Sequence, residues 1–311
     1  MKTWRWIAAV ALSFVIAIFI VAAFIYTPEE EPKPELRTEE KAEEALIQEE
    51  PHDPQELKEE EEEEQDKEEE NHLSDGLREV FTSVIESARG LFIKDNLDIV
   101  AIGDSLTQGV GDSTDKGGYV GILEETFNAN PDTETTDIEN FGKRGNRTDQ
   151  LLKRMENEEI KESLRDADLI LITIGANDVM KVVKNNFTSL NYQDFVNEQE
   201  GYEDRLHEIL QRTQELNPDA SVYLLGLYNP FHKYFNNIPE LGQIMGDWNA
   251  ISRQVVNDYD QTTFIPIRDL FEGNEEDLLW KDDQFHPNER GYKKMAERVL
   301  QYIREDIEVE Q

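Results

Sequence analysis

The sequence predicts an α/β fold: a three-layer, flavodoxin-like domain on a five-stranded parallel sheet. Three observations predict it. Short apolar runs rich in β-branched residues recur between residues 97 and 303. Each is followed by a segment with apolar residues at helical spacing. Gly, Asp, Ser and Asn punctuate the strand ends. Strands separated by helices need crossover connections, so they run parallel with helices on both faces.

The elements follow in order. Leu77, Val80, Phe81, Val84, Ile85 and Ala88 have the 3–4 spacing of an amphipathic helix, which predicts a lead-in helix over residues 74–93. Leu97–Ile102 reads as a buried strand that stops at Gly103, Asp104 and Ser105. A helix over Gly118–Phe127 and a strand over Thr136–Phe141 come next. Helical segments over Thr148–Arg165 lead to a third strand at Asp168–Ile174, and a long helix covers Tyr192–Leu216. Strand Ser221–Leu227, helix Leu241–Asp258, strand Thr263–Ile267 and helix Asn288–Ile303 complete the set.

Upstream of this domain the composition changes twice. Lys2 and Arg5 precede an uncharged apolar run over residues 7–26, long enough at about 1.5 Å per residue to span a hydrocarbon core of roughly 30 Å. Typical signal-peptide apolar regions are shorter, and Phe24, Ile25 and Tyr26 are bulky where a cleavage site needs small residues. Residues 1–27 therefore read as an uncleaved signal anchor, a single transmembrane helix in the cell membrane. Positive charge before the span and acid after it place the carboxyl side outside the cytoplasm; cleavage would give a secreted protein instead. Residues 28–72 hold 22 acidic and 5 basic residues and no Phe, Trp or Tyr. Such a segment buries too little apolar surface to offset its ordering entropy, so it reads as a disordered acidic tether reaching about 40 Å.

Charge excludes one function class. The chain has 69 acidic and 31 basic residues, a net charge of -38, and that field repels phosphate backbones, so no nucleic-acid partner is expected. There are no cysteines, which removes disulfides, a thiol nucleophile and cysteine metal sites. Residues 73–311 form the remaining domain and stay strongly acidic at a net -23.

Four motifs sit at predicted strand ends. The serine of Gly103-Asp-Ser-Leu106 either caps the following helix or stands exposed at the carboxyl edge of the sheet, where open α/β folds place ligands. Asn140-Phe-Gly-Lys-Arg-Gly-Asn-Arg-Thr148 offers Gly142 and Gly145, whose N–H groups can face a ligand, or is a plain turn. Gly175-Ala-Asn-Asp178 offers Asn177 as an oxyanion donor, or is an Asx turn or helix cap. In Lys281-Asp-Asp-Gln-Phe-His-Pro-Asn288 a carboxylate three residues before His286 can hold the imidazole tautomer that accepts a serine proton. Asp283 has the better spacing, with Asp282 as substitute. Of the other histidines, His52 and His72 lie in the tether, His207 in a helical pattern and His232 in a loop.

Gly103-Asp-Ser-Leu106, Gly145, Gly175-x-Asn177-Asp178 and Asp283-x-x-His286, in that order, resemble the SGNH/GDSL hydrolase family, and most of all its bacterial lipase/acylhydrolase branch. The resemblance runs from about Leu97 to Ile303. It implies Ser105 as nucleophile, His286 as base then acid, and Asp283 as its orienter. The implied oxyanion donors are the N–H groups of Ser105 and Gly145 and the Asn177 side chain. The expected activity is that of a serine esterase cleaving carboxylic esters of lipids or O-acylated glycans outside the membrane. No metal or organic cofactor is needed. Leu227, Tyr228, Asn229 and Phe231, just past the fourth strand, are candidate walls of the substrate pocket. A non-catalytic binding protein on the same fold and a glycan O-acyltransferase are the alternatives.

Overall fold

The computed structural model describes residues 97–114, 116–129, 136–186, 189–230 and 240–308. The segments expected to form the anchor, the tether and the lead-in helix, and Phe231, lie outside the described residues. Among the described residues no helix is long and apolar enough to cross a membrane.

Five strands form one sheet: β1 (Ile99–Gly103), β2 (Ile138–Gly142), β3 (Leu169–Thr173), β4 (Ser221–Leu225) and β5 (Thr262–Ile265). Their order is β2-β1-β3-β4-β5 and every pairing is parallel. Ile99 stands beside Ile138 on one side and Leu169 on the other. All five residues of β1 and of β3 are buried, which is why both read as continuous apolar runs rather than alternating ones. The edge strand β2 exposes Glu139 and Asn140. The chain leaves β1 for β2 on one side and later returns to lay β3 on the other. The carboxyl ends of β1 and β3 therefore flank the point where strand order reverses, the place doubly wound sheets open a crevice.

The helices are α1 (Ser105–Gln108), α2 (Gly118–Asn128), α3 (Thr148–Arg154), α4 (Glu158–Asp166), α5 (Ala176–Asn185), α6 (Tyr192–Leu216), α7 (Glu240–Val256), α8 (Arg268–Phe271), α9 (Glu275–Leu278) and α10 (Glu289–Ile307). Alternate strand residues divide the core in two. Ile99, Ala101, Leu171 and Leu225 pack with α2 and α10. Val100, Ile102, Ile170, Ile172 and Leu224 pack with α3 through α7. Each fully buried Leu, Ile or Val side chain contributes about 1.5–3 kcal/mol relative to exposure, so these two layers hold the strand ends that carry the site.

Helix α6 matches its predicted span to the residue. Asn191 and Asp194 cap its start reciprocally, Asp194 N–H to Asn191 Oδ1 at 3.3 Å and Asn191 N–H to Asp194 Oδ2 at 3.1 Å. Its buried stripe of Phe195, Tyr202, Leu206, Ile209, Leu210 and Thr213 follows the helical period. No helix is expected from the sequence between Ile174 and Tyr192, so α5 is an addition. Val179, Val182 and Val183 give it an apolar face at i, i+3, i+4, a signal shortened by the polar Asn177-Asp178 start. The one-turn helices α8 and α9 are too short to show a period.

Candidate active site

Strand β1 delivers the chain to a tight corner in which two neighbouring residues divide the work. Asp104 is the helix cap: its Oδ1 accepts from the Leu106 N–H at 3.0 Å and from the Thr173 hydroxyl at 2.9 Å. Its own N–H donates to the Thr173 carbonyl at 3.0 Å, tying β1 to β3. The alternative of a capping serine is thereby set aside, and the Ser105 hydroxyl is left for another partner. That partner is His286, with Nε2 2.9 Å from Oγ across 181 residues of sequence. Ser105 is 3% exposed and His286 6% exposed.

Asp104 is itself 1% exposed. Burial pushes its carboxyl up to about 7, against the pull of its bonds from Leu106 and Thr173. A raised carboxyl favours the neutral form in the folded state, so its contribution is lost as pH rises from the ordinary value of 3.8 through about 7. Asp104→Asn keeps Oδ1 for both donors and removes the charge. It is expected to melt no lower than the wild type at pH 8, with the difference shrinking on acidification to pH 5. Asp104→Ala loses the cap and is expected to cost about 1–2 kcal/mol. Thermal unfolding of both variants checks this; an Asn variant melting well below the wild type at pH 8 contradicts it.

The imidazole is held from its other side by Asp283, with Oδ2 2.5 Å from Nδ1. Asp283 Oδ1 accepts the backbone N–H groups of Phe285 and His286, at 2.9 and 3.0 Å. The three-residue spacing thus makes a closed turn around one carboxylate, and the exposed Asp282 takes no part in it. Burial raises the Asp283 carboxyl, but these N–H groups and the imidazole outweigh it and leave the pKa below its usual value. The His286 pKa is also lowered: burial is the main cause, Asp283 partly offsets it, and the Arg144 guanidinium adds to it.

The His286 turn is braced on every side. Trp280 N–H donates to the His286 carbonyl at 2.8 Å, and the Tyr228 hydroxyl donates to the Phe285 carbonyl at 2.5 Å. Gly111, at φ +95°, lies against it; a Cβ there would come within 2.5 Å of the Pro287 carbonyl oxygen. The Tyr292 hydroxyl of α10 donates to the Val110 carbonyl at 2.6 Å, securing the segment after α1.

The other two motifs meet each other, through Asn177 and Asn146. Gly145 adopts φ +80°, a conformation that favours glycine, and a Cβ there would point into open space. Among the described residues neither the Ser105 N–H nor the Gly145 N–H has a protein acceptor. The Asn177 amide donates to the Asn146 carbonyl at 3.0 Å, leaving its second N–H hydrogen. Asp178 binds the start of α3 instead, accepting the Thr148 N–H at 3.0 Å and its hydroxyl at 2.6 Å. Arg205 of α6 completes that anchor with Nη2 3.2 Å from Asp178 Oδ1. Arg154 braces the same loop from α3, donating to Asn146 Oδ1 at 3.0 Å and to the Phe141 carbonyl at 2.6 Å. Sequence reasoning missed Arg154 and Arg205, because a basic residue in a helix pattern looks the same whether it is solvated or bracing a loop.

The residues expected to wall the substrate pocket divide. Leu227 is buried in the core, with N–H and carbonyl both bonded to Asn249 at 2.7 Å. Tyr228 is buried and stacked on Phe271 at 4.1 Å, where it supports the His286 turn. Only Asn229 is partly exposed, and Phe231 lies outside the described residues. Among the described residues no group of three or more His, Asp or Glu is placed to hold a metal ion.

Comparison with known proteins matches this frame. The model of the "GDSL-like Lipase/Acylhydrolase family" matches residues 101–294. YpmR of Bacillus subtilis, an uncharacterised protein, is 34% identical over 214 residues, which is 68% of this chain and 84% of that protein. The spore germination lipase LipC of Bacillus licheniformis is 28% identical over 65% of this chain and 94% of its own length. Among solved structures, the lipase Lip_vut3 from a goat rumen metagenome superposes with a TM-score of 0.58 at 27% identity, covering 66% of this chain and 97% of its own. A variant of Axe2, an acetyl-xylooligosaccharide esterase from Geobacillus stearothermophilus, shares the fold at a TM-score of 0.54 and 22% identity, over 68% of this chain and 95% of its own.

Proposed function

The chain belongs to the GDSL-like lipase/acylhydrolase family and is an ester-bond hydrolase, and from that premise we propose that it acts through an acyl-enzyme on Ser105. The observation that carries the reading is the line Ser105 Oγ, His286 Nε2, His286 Nδ1, Asp283 Oδ2, with gaps of 2.9 and 2.5 Å. His286 Nε2 takes the hydroxyl proton as Oγ attacks the ester carbonyl carbon. The oxygen gains negative charge and is met by the N–H groups of Ser105 and Gly145 and the free N–H of Asn177. Collapse breaks the bond to the alcohol oxygen, which leaves with the proton now on Nε2. Water repeats the cycle on the acyl-enzyme, releasing the acid and restoring Ser105. Asp283 stays ionised and stabilises the transient imidazolium. The steps call on no metal or organic cofactor.

Labelling of the full chain by a serine-reactive fluorophosphonate tests this, with Ser105→Ala as control. Equal labelling of both would sink the assignment. The pH profile offers an independent check. The base must be neutral to accept the proton, and burial holds the His286 pKa below 6.5. kcat/KM for a neutral ester is therefore expected to rise with pH along a limb whose midpoint lies below 6.5. The same profile in Asp104→Asn separates this limb from the carboxyl that titrates at about 7.

Substrate and location extend the proposal. Relatives named as lipases and an acetyl-xylooligosaccharide esterase on the same fold support a lipid ester or an O-acylated glycan. The apolar run over residues 7–26 and the acidic segment after it support a domain tethered outside the cytoplasmic membrane. Degradation of the domain by protease added to intact spheroplasts would agree with that placement; protection until lysis would argue against it.

A further inference from the structure

The charge around the proposed oxyanion loop runs against the rest of the chain. The chain as a whole carries -38, yet residues 140–148 hold Lys143, Arg144 and Arg147 and no Asp or Glu. Arg147 is paired with Asp149, Nε to Oδ1 at 2.9 Å and Nη2 to Oδ2 at 3.0 Å. Lys143 and Arg144 are both exposed, and among the described residues neither has a carboxylate within ion-pair distance.

Arg144 does not sit on a loose loop. Its N–H donates to Gln108 Oε1 at 2.5 Å, and Gln108 ends the same short helix that Ser105 begins. Two residues later Asn146 is held by Arg154 and Asn177. The arginine backbone is therefore fixed relative to the nucleophile from both sides. The Arg144 charge opposes protonation of the His286 imidazole. In acyl transfer that is a cost, because the imidazole must become an imidazolium while the serine attacks. A negative group bound by Arg144 would cancel the cost as the substrate docks. A strongly acidic protein that selects an anionic substrate needs such a local cation to overcome its own field.

We infer that the substrate carries an oxyanion, a phosphate ester or a carboxylate, a few bonds from the reacting carbonyl, and that Arg144 with Lys143 positions it. The inference rests on the acyl-transfer reading of the site and narrows its substrate class. Arginine suits the task because its planar fork meets two oxygens at once.

Two matched ester pairs test it with the full chain. 4-Nitrophenyl valerate against mono(4-nitrophenyl) glutarate places the charge on the acyl side. Monobutyrin against 1-butyrylglycerol 3-phosphate places it on the alcohol side. The wild type is expected to favour the charged member of at least one pair in kcat/KM, and the responding pair tells which side carries the anion. Arg144→Gln is expected to reduce that preference about tenfold, the size of one charge-assisted hydrogen bond, chiefly through KM. Arg144→Lys should restore part of it, and Lys143→Gln should reduce it less. A wild type that favours the neutral member of both pairs, or a preference untouched by Arg144→Gln, would overturn the inference while leaving the esterase reading intact. Hydrolysis of none of the four esters would remove the acyl-transfer reading, and this inference with it.

Discussion

Ser105→Ala is expected to lower kcat/KM toward a short-chain ester by about 10⁴–10⁶-fold while leaving the fold in place. The first half follows from the Ser105 hydroxyl having a base 2.9 Å away. The residue left behind still has its backbone N–H, and Gly145 and Asn177 are untouched, so slow hydrolysis by bound water should persist above the uncatalysed rate. The second half follows from the division of labour at the corner. Asp104 caps α1, and among the described residues the Ser105 side chain bonds to His286 alone. Its removal leaves no buried backbone group without a partner and strands only His286 Nε2, so the loss of stability should stay within about 1–3 kcal/mol. Steady-state kinetics on repurified protein, with thermal unfolding on the same sample, measures both. Activity within tenfold of wild type would mean that the ester is cleaved elsewhere.

Asp283→Asn is expected to lower kcat/KM by about 10³–10⁴-fold near neutral pH. Asparagine preserves one oxygen to accept the Phe285 and His286 N–H groups, so the turn can persist. The atom facing Nδ1 then becomes an N–H₂ donor, which selects the tautomer with the proton on Nε2. That tautomer cannot take the serine proton. The negative charge that steadies the imidazolium is lost as well, and burial of His286 makes the loss more costly than it would be in water. Asp283→Ala would remove the turn together with the charge and mix two effects, so the asparagine variant is the sharper probe. Ser105→Ala/Asp283→Asn should be no slower than Ser105→Ala, because an orienter has nothing to act on without the nucleophile. Independent, additive losses would contradict a shared relay.

Much of the frame was legible in order along the chain. β1 and β3 are buried on both faces, so each appears as an apolar run that needs no tertiary information to find. α6 carries both its cap and its stripe in its own residues, and its predicted and observed limits coincide. The pocket walls were less legible. An aromatic after a strand looks alike whether it faces a ligand or a neighbour, and Tyr228 faces Phe271 and the His286 turn. α5 is not legible as a helix because its first residues are polar; its valines pack only once α5 lies against the sheet.

By itself the sequence determined an α/β chain with parallel strands, and a serine, an asparagine, a glycine and an Asp-x-x-His at their ends. Those are local properties: burial, period and turn chemistry are written within a few residues. It also limited the acid beside His286 to Asp282 or Asp283. Only the tertiary structure decided that Asp104 and not Ser105 is the cap, that Asp283 and not Asp282 holds the imidazole, and that Arg154 and Arg205 brace the loop. Each of those outcomes depends on groups brought together from distant positions, Thr173 to Asp104, Tyr228 to the His286 turn and Ser105 to His286 across 181 residues. No pattern within a short window records which of two equivalent side chains such a partner will meet.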